Sequence, residues 1–203
     1  MKSLYVTQRS AIGDGRFREL LSSLSGAPGL SVQLRERDGP DAATLFWAGV
    51  ARERLGGGVP LYVNGRFDIA LASGAGGVHL PAHGLPLGRV RAETPRGFRI
   101  GVSTHSPSEA VAAIEAGADL VLIGPIFDTP SKAAYGPPLT PAALGGLPLR
   151  EEHETEIYAI GGIGEDRLGQ LEPFRDRISG VAGIRIFQET PDPAALVERL
   201  APR

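Results

Sequence analysis

FRIGVSTHSPSEAVAAIEAGADLVLIGPI, residues 98–126, predicts a strand, a helix and a second strand in direct succession. The Ser106-Pro-Ser-Glu109 segment is typical of a helix start, because its hydroxyl and carboxylate groups accept hydrogen bonds from free backbone amides. Gly117 is typical of the residue that ends a helix. The run VLIGPIF at 121–127 indicates a strand buried on both faces. Because a helix connects them, the two strands are expected to be parallel.

The same alternation of strand and helix recurs along the whole chain. The predicted strands are Leu4–Thr7, Leu30–Arg35, Leu61–Asn64, Gly77–Leu80, Phe98–Ser103, Leu120–Ile126, Ile157–Gly161 and Gly180–Phe187. The predicted helices are Gly15–Leu24, Ala42–Leu55, Phe67–Ala72, Leu87–Glu93, Pro107–Ala116, Pro141–Leu147, Glu165–Phe174 and Pro193–Leu200. Eight such units in 203 residues predict an α/β protein, a single (β/α)8 TIM barrel that forms one domain over residues 1–203. An open, doubly wound sheet is the alternative.

The composition narrows the class of partner. The sequence holds 21 Lys and Arg against 23 Asp and Glu, so it has no basic surplus with which to bind nucleic acid. Cys is absent, which excludes a disulfide framework and fits a cytoplasmic location. No stretch approaches the roughly 20 apolar residues of a membrane span. We expect a cytoplasmic protein without nucleic-acid or membrane partners, whose largely apolar helix faces are compatible with a homodimer.

Polar side chains lie at or just after the carboxyl ends of several predicted strands, at the end of the barrel where active sites lie. They are Gln33, Arg35 and Arg37 at strand 2, Asn64 at strand 3, and Ser103 and His105 at strand 5. Residues two apart share one face of a strand, so the three after strand 2 can point together into the barrel mouth. Each group also has a structural interpretation, as a solvated strand end, a turn or a structural histidine.

The loop after strand 6 is long and bounded by Gly and Pro, which is typical of an active-site lid. It carries Thr129, Ser131 and Lys132, whose hydroxyl and ammonium groups are donors to an anion. An ordinary surface loop is the alternative.

Glycine corners follow the last two predicted strands. The first contains Gly162, and the second is the Gly183-Ile184-Arg185 segment. Glycine lets backbone amides approach phosphate oxygens, and these two loops form the usual phosphate site of the fold. Arg185 could add a bidentate contact. The sequence therefore predicts that a phosphate-bearing small molecule binds at the carboxyl ends of the strands.

From Leu4 to about Phe187 the sequence resembles the thiamine phosphate synthase/TenI family. The motifs that carry the resemblance are VQLRER, LYVNGRFDIA, GVHLP, IGVSTHSPSEA, GADLVLIGPIF, T-x-S-K and AIGGI, in the family's order. The resemblance implies a (β/α)8 barrel that binds a phosphorylated thiazole. It further implies a pyrimidine and pyrophosphate contact for Gln33, Arg35 and Arg37. It assigns the T-x-T-K loop to Thr129, Ser131 and Lys132, and the thiazole-phosphate cradle to Gly162, Gly183, Ile184 and Arg185.

The sequence departs from this family where a synthase is expected to hold Mg²⁺. The resemblance places one metal-binding Asp after the Asn of an N-D motif and another shortly after the G-x-H motif. Here the first position is Gly65, and the second falls in PAHG at 81–84, which has no carboxylate. Mg²⁺ prefers carboxylate and phosphate oxygens. We therefore expect no cofactor, with Mg²⁺ only in a true synthase that uses other ligands such as Glu36 or Asp128.

The Leu-Pro pair after the G-x-H motif instead resembles the TenI branch, whose activity is a metal-free, aromatising tautomerisation of a carboxythiazole phosphate. That branch has its catalytic His where this sequence has Pro125. His105 is the candidate base in the mouth, since imidazole is the commonest proton acceptor in enzymes, and His83 is a second candidate.

These observations predict a metal-independent, TenI-like thiazole tautomerase or a catalytically degenerate relative, with His105 and Lys132 as the catalytic residues. One alternative is a thiamine phosphate synthase, which condenses hydroxymethylpyrimidine pyrophosphate with thiazole phosphate. Another is a non-catalytic protein that binds thiazole phosphate or thiamine phosphate. A phosphosugar isomerase would share the glycine turn but not the VQLRER segment.

Overall fold

The structure, a computed structural model, describes residues 1–36, 39–129 and 137–201. Its strands pair in parallel and in sequence order, and the last closes on the first to form a barrel. The strands are β1 Lys2–Val6, β2 Leu30–Leu34, β3 Leu61–Asn64, β4 Gly77–Leu80, β5 Arg99–Thr104, β6 Leu120–Ile123, β7 Glu156–Ile160 and β8 Gly180–Gly183. The predicted (β/α)8 barrel is confirmed, and the open-sheet alternative is wrong because β8 pairs with β1.

Helices connect the strands. The α-helices are α1 Asp14–Ser23, α2 Asp41–Leu55, α3 Phe67–Ser73, α4 Leu87–Ala92, α5 Pro107–Glu115, α6 Arg185–Gln188 and α7 Pro193–Leu200. Helix α5 starts as predicted, because Oγ of Ser106 accepts a hydrogen bond of 3.1 Å from the amide of Glu109. None of the helices in the described ranges combines the length and the apolar composition of a membrane span.

Two predicted helices have a different winding. Pro141–Gly146 and Glu165–Phe174 are 3₁₀ helices, as are the short segments Arg9–Ala11 and Arg150–Glu152. Pro173 lies inside Glu165–Phe174 and removes a backbone donor that an α-helix would use. In a 3₁₀ helix each backbone amide donates a hydrogen bond to the carbonyl of the third residue before it. This tighter winding is common in short connections.

The strand predicted at Gly180–Phe187 ends at Gly183, and α6 begins two residues later. The chain turns because its next residues pack on β1. The Phe187 ring lies 5.3 Å from that of Tyr5, and Nε2 of Gln188 donates to the Tyr5 hydroxyl at 2.9 Å. The start of α6 thereby lies at the carboxyl ends of the strands, which we call the open end of the barrel.

The barrel interior is apolar in the middle and contains ion pairs at the amino ends of the strands, which we call the lower end. Inward side chains form one buried apolar cluster: Leu4, Val6, Tyr62, Leu120, Leu122, Tyr158 and Ala182. At the amino ends of the strands, Glu156 pairs with Lys2 at 2.5 Å and with Arg99 at 3.4 Å. A larger apolar core lies between strands and helices. The filled lower end leaves the carboxyl ends of the strands as the place for a ligand.

Candidate active site

Four polar side chains line the inner wall near the open end, one from each of β2 to β5: Gln33, Asn64, His79 and Ser103. Apolar neighbours of these residues in sequence belong to the core between strands and helices. Because successive side chains of a strand point to opposite faces, the four polar side chains point into the barrel. Nε2 of Gln33 donates to Oδ1 of Asn64 at 2.9 Å. Nε2 of His79 lies 2.8 Å from Oγ of Ser103. The register pairs Asn64 with His79, so the two bonded pairs are adjacent. We call these four residues the polar row.

The polar row contains an unused hydrogen-bond acceptor. Gln33 is only 3% exposed, and among the described residues its Oε1 has no hydrogen-bond partner. A buried oxygen that lacks a donor destabilises the fold by about 1–3 kcal/mol. The row is therefore complementary to a ligand that presents an N–H or O–H group to Gln33.

His79 is a site residue that the sequence analysis did not select. Its side chain is 1% exposed, and burial lowers the pKa of the imidazole to about 3. The ring lies over Gly101, where an added Cβ would be 2.5 Å from Nδ1. The motif GVHLP could have indicated His79 as a site residue. A His between Val78 and Leu80 in a buried strand needs a polar partner on a neighbouring strand.

His105 follows β5 and is exposed at the open end of the barrel. Its Nδ1 lies 2.7 Å from the carbonyl oxygen of Gly124, which can only accept, so Nδ1 carries a proton. In the neutral ring Nε2 is then the acceptor. The amide of His105 donates to Glu109 at 2.7 Å, which fixes the turn that carries the ring. His83 lies in an exposed loop after β4.

The chain after β2 is anchored to the loop after β1. The amide of Arg35 donates to Oγ1 of Thr7 at 2.9 Å. Glu36 has a side chain that is only 6% exposed, and it accepts bonds of 3.0 and 2.7 Å from Arg9. Glu36 is therefore an ion-pair partner rather than a free carboxylate at the mouth. Arg37 lies outside the described residues.

The loop after β6 packs on the end of β7. The amide of Ile126 donates to the carbonyl of Ile160 at 2.8 Å. At Gly162 an added Cβ would lie 2.4 Å from the carbonyl oxygen of Asp128. Gly162 is thus required for the close packing of this loop, a role that the sequence analysis did not foresee.

The predicted anion-binding groups of this loop are only partly within the described residues. Asp128 is exposed, and Thr129 is half-buried. Ser131 and Lys132 lie outside the described residues, so their placement stays a prediction.

The ends of β7 and β8 form two adjacent corners. The register pairs Ile160 with Ala182, so Gly162 and Ile184 follow at the same level on neighbouring strands. Within the part of the chain that the structure describes, the amides of Gly162, Ile184 and Arg185 donate no hydrogen bond. Gly183 precedes Ile184 at the end of β8, and the side chain of Arg185 is exposed. Unpaired amides beside a helix start are groups that can bind a phosphate.

Arg167 is a second residue that the sequence analysis did not select. Its Nη1 donates to the carbonyl of Gly162 at 2.9 Å. Its guanidinium lies over the Phe127 ring, 5.2 Å from the centroid. Arg167 therefore holds the Gly162 corner against the loop after β6.

The positions at which the family resemblance places metal ligands do not offer carboxylates. Gly65 follows β3, and the exposed loop at 81–84 follows β4. Asp68, close to Gly65 in sequence, forms an ion pair with Arg66, as does Asp41. No cluster of three His, Asp or Glu side chains that could hold a metal occurs in the described ranges. These residues do not fit a carboxylate-held Mg²⁺ at the two expected positions.

Comparison with known sequences gives concordant matches. A family model described as thiamine monophosphate synthase matches residues 4–187. A relative from Geobacter sulfurreducens, named putative thiamine-phosphate synthase, is 40% identical over 99% of this chain and 95% of its own length. The thiamine-phosphate synthase of Methanoculleus marisnigri is 42% identical over 79% of this chain and 76% of that protein.

Solved structures agree on the barrel. Thiamine phosphate pyrophosphorylase from Pyrococcus furiosus gives a TM-score of 0.80 at 23% identity, over 98% of this chain and 93% of that one. KGPDC from Streptococcus mutans gives a TM-score of 0.64 at 14% identity, over 100% of both chains. At such identities the likeness shows the fold alone. Because the family model spans nearly the whole barrel and the Geobacter relative is similar from end to end, the chain belongs to the thiamine monophosphate synthase family.

Proposed function

We propose that this chain condenses hydroxymethylpyrimidine pyrophosphate with thiazole phosphate to form thiamine phosphate and pyrophosphate. The observation that carries the proposal is the polar row, in which the buried Oε1 of Gln33 has no hydrogen-bond donor within the described part of the chain. The amino group of the pyrimidine would supply that donor. The relatives named thiamine-phosphate synthase favour this activity over the tautomerase expected first.

The two phosphorylated substrates have separate places in this proposal. The pyrimidine lies against the polar row, and its pyrophosphate lies toward Arg35, with Arg37 assigned to the same contact by the family resemblance. We also place Lys132, which the resemblance assigns to the T-x-T-K loop, at the pyrophosphate. The phosphate of the thiazole lies at the unpaired amides of Gly162 and Ile184. In the reaction, the bond from the pyrimidine methylene carbon to the pyrophosphate oxygen breaks, and a bond from the thiazole nitrogen to that carbon forms.

The cationic side chains are proposed to stabilise the negative charge that develops on the pyrophosphate. Negative charge grows on the pyrophosphate as it departs, and fixed guanidinium and ammonium groups stabilise it most where water is excluded. Strands β2 and β6 both end at the open end of the barrel, where Arg35 directly follows β2.

The direct test is to incubate the protein with both substrates and to follow thiamine phosphate formation, with and without added Mg²⁺. We expect product in at least one of the two conditions, at a rate that falls about a hundredfold when Arg35 is replaced by Met. An absence of product in both conditions overturns the proposal. Tight binding of thiazole phosphate without turnover would then identify a non-catalytic binding protein.

A second candidate function is thiazole tautomerisation, and the geometry of His105 favours it. The bond from Nδ1 to the Gly124 carbonyl fixes the tautomer and leaves Nε2 as a proton acceptor at the open end. The test is a direct tautomerisation assay of the protein and of its His105→Ala variant. Turnover that is unchanged by this substitution rules out His105 as the base.

A further inference from the structure

His79 is almost fully buried, yet among the described residues its imidazole has a single polar contact, with Ser103 of the candidate site. Its Nε2 lies 2.8 Å from Oγ of Ser103, and the side chain of Ser103 is half-buried on the inner wall. The register places His79 opposite Gly101, two residues before Ser103 on β5. The imidazole therefore reaches along the neighbouring strand toward the open end.

The surroundings of His79 fix the ring closely. An added Cβ on Gly101 would lie 2.5 Å from Nδ1 and 3.4 Å from Cε1 of the imidazole. The ring therefore fills the space that the glycine leaves. Asn64 is the register partner of His79 on the other side, and it is already bonded to Gln33. Packing on both sides thus sets the direction of the bond from His79 to Ser103.

The protonation state of His79 is fixed as well. Burial lowers the pKa of the imidazole to about 3, so the ring is neutral throughout the physiological range. A serine hydroxyl has one donor and two acceptor sites. The bond with Nε2 uses one of them and orients those that remain.

We infer that His79 is a positioning residue, which holds the Ser103 hydroxyl in the orientation needed to contact the pyrimidine pyrophosphate. The inference rests on the proposed function, since it names the residue behind a substrate contact of that site. His79 acts through Ser103 and does not itself touch the reacting atoms.

The test replaces His79 by Gln or by Asn, whose side-chain amides extend to different distances from the backbone. The side-chain nitrogen of Gln can occupy the place of imidazole Nε2, whereas that of Asn reaches only the place of Nδ1. His79→Gln and His79→Asn are made alone and in a Ser103→Ala background. For each, kcat/KM for hydroxymethylpyrimidine pyrophosphate, KM for thiazole phosphate and the thermal unfolding midpoint are measured.

We expect His79→Asn to lower kcat/KM for the pyrimidine substrate about tenfold, and His79→Gln to restore most of that loss. In the Ser103→Ala background the two variants should have the same activity, because the hydroxyl that His79 positions is gone. KM for thiazole phosphate should stay unchanged. Gly101→Ala, which displaces the ring, should resemble His79→Asn.

Equal activity of His79→Gln and His79→Asn overturns the inference. So does a tenfold loss in His79→Asn that persists in the Ser103→Ala background, since the residue would then act only on the fold. If the wild-type protein forms no product, the proposed function fails separately. The same double-mutant cycle is then run on the affinity for hydroxymethylpyrimidine pyrophosphate, measured by calorimetry, and a cycle without coupling overturns the inference in that case also.

Discussion

Nε2 of Gln33 donates a 2.9 Å hydrogen bond to Oδ1 of Asn64, which leaves Oε1 of the same Gln33 amide buried without a partner among the described residues. The bond joins β2 to β3 and fixes which end of the amide is available. The available end is an acceptor, so it selects a ligand with a donor group. This polarity is the most specific chemical property of the open end of the barrel.

Replacement of Gln33 by Met should therefore affect one substrate and not the other. Because one hydrogen bond to the pyrimidine is lost, we expect KM for hydroxymethylpyrimidine pyrophosphate to rise about tenfold. KM for thiazole phosphate should not change. Initial rates with one substrate varied at a time check this expectation. Gln170→Met, at an exposed position, is the matched control. Equal changes in both KM values would place Gln33 outside the pyrimidine site.

Gly162→Ala should weaken the binding of thiazole phosphate. Gly162 has a φ of 64°, and its missing Cβ leaves room for the carbonyl of Asp128. The positive φ alone should destabilise an Ala variant by about 1–2 kcal/mol, and the contact with Asp128 adds to this. We expect a lower unfolding midpoint and a higher Kd for thiazole phosphate, measured by calorimetry. Gly169→Ala is the control, since nothing lies within 4 Å of that position. An unchanged Kd in Gly162→Ala contradicts the assignment.

The pairing of Arg9 with Glu36 should stabilise the loops after β1 and β2 together. Arg9→Met leaves Glu36 largely buried without its cation, which should lower the free energy of unfolding by about 2–4 kcal/mol. The double variant Arg9→Met with Glu36→Gln should regain part of that loss, because the uncompensated charge is removed. Urea unfolding of the set measures both values. Arg16→Met is the control, since Arg16 forms an exposed pair with Glu19 at 3.7 Å. A double variant no more stable than Arg9→Met would contradict this account.

Glu156 should give the fold a dependence on acidic pH. Burial opposes its ionisation, but the hydrogen bond from Lys2 and the charges of Arg99 and Lys2 outweigh burial and hold the pKa of this carboxyl below its ordinary value. Because the folded-state pKa is depressed, the stabilisation is present above the unfolded-state pKa of about 4.3 and is lost as pH falls through the folded-state value.

We expect Glu156→Gln to be less stable than the wild type by about 2 kcal/mol near neutral pH, with the difference shrinking as pH falls below about 4. Urea unfolding across this pH range measures it. Glu154→Gln, at an exposed neighbouring position, should show no such trend. A stability difference that stays constant with pH would show that the ionised form of Glu156 is not what the cluster stabilises.

Much of the fold could be predicted from local patterns. Strands β3 and β4 have the predicted bounds, because short apolar runs between turn residues define them without help from the rest of the molecule. Strand 8 could not be predicted in full, because Ile184 to Phe187 is as apolar as a strand. The pairing of Gln188 and Phe187 with Tyr5, far away in sequence, turns it into a helix.

In the candidate site, too, local patterns predicted some features and contacts between strands decided the others. Strand alternation was enough to predict that Gln33, Asn64 and Ser103 share the barrel mouth. It could not predict that Gln33 uses its nitrogen on Asn64, nor that His79 bonds to Ser103, because both contacts depend on the register between strands.

The sequence by itself determined the number and order of the strand–helix units and the residue types at their carboxyl ends. These depend on local apolar periodicity and on turn and capping residues, which act over a few positions of the chain. Only the tertiary structure decided which of those polar groups are satisfied and which are left for a ligand. Closure of the barrel buries Gln33, neutralises His79 and binds Glu36 to Arg9. Each of these depends on desolvation and on partners from other strands and loops, which exist only once the barrel has closed.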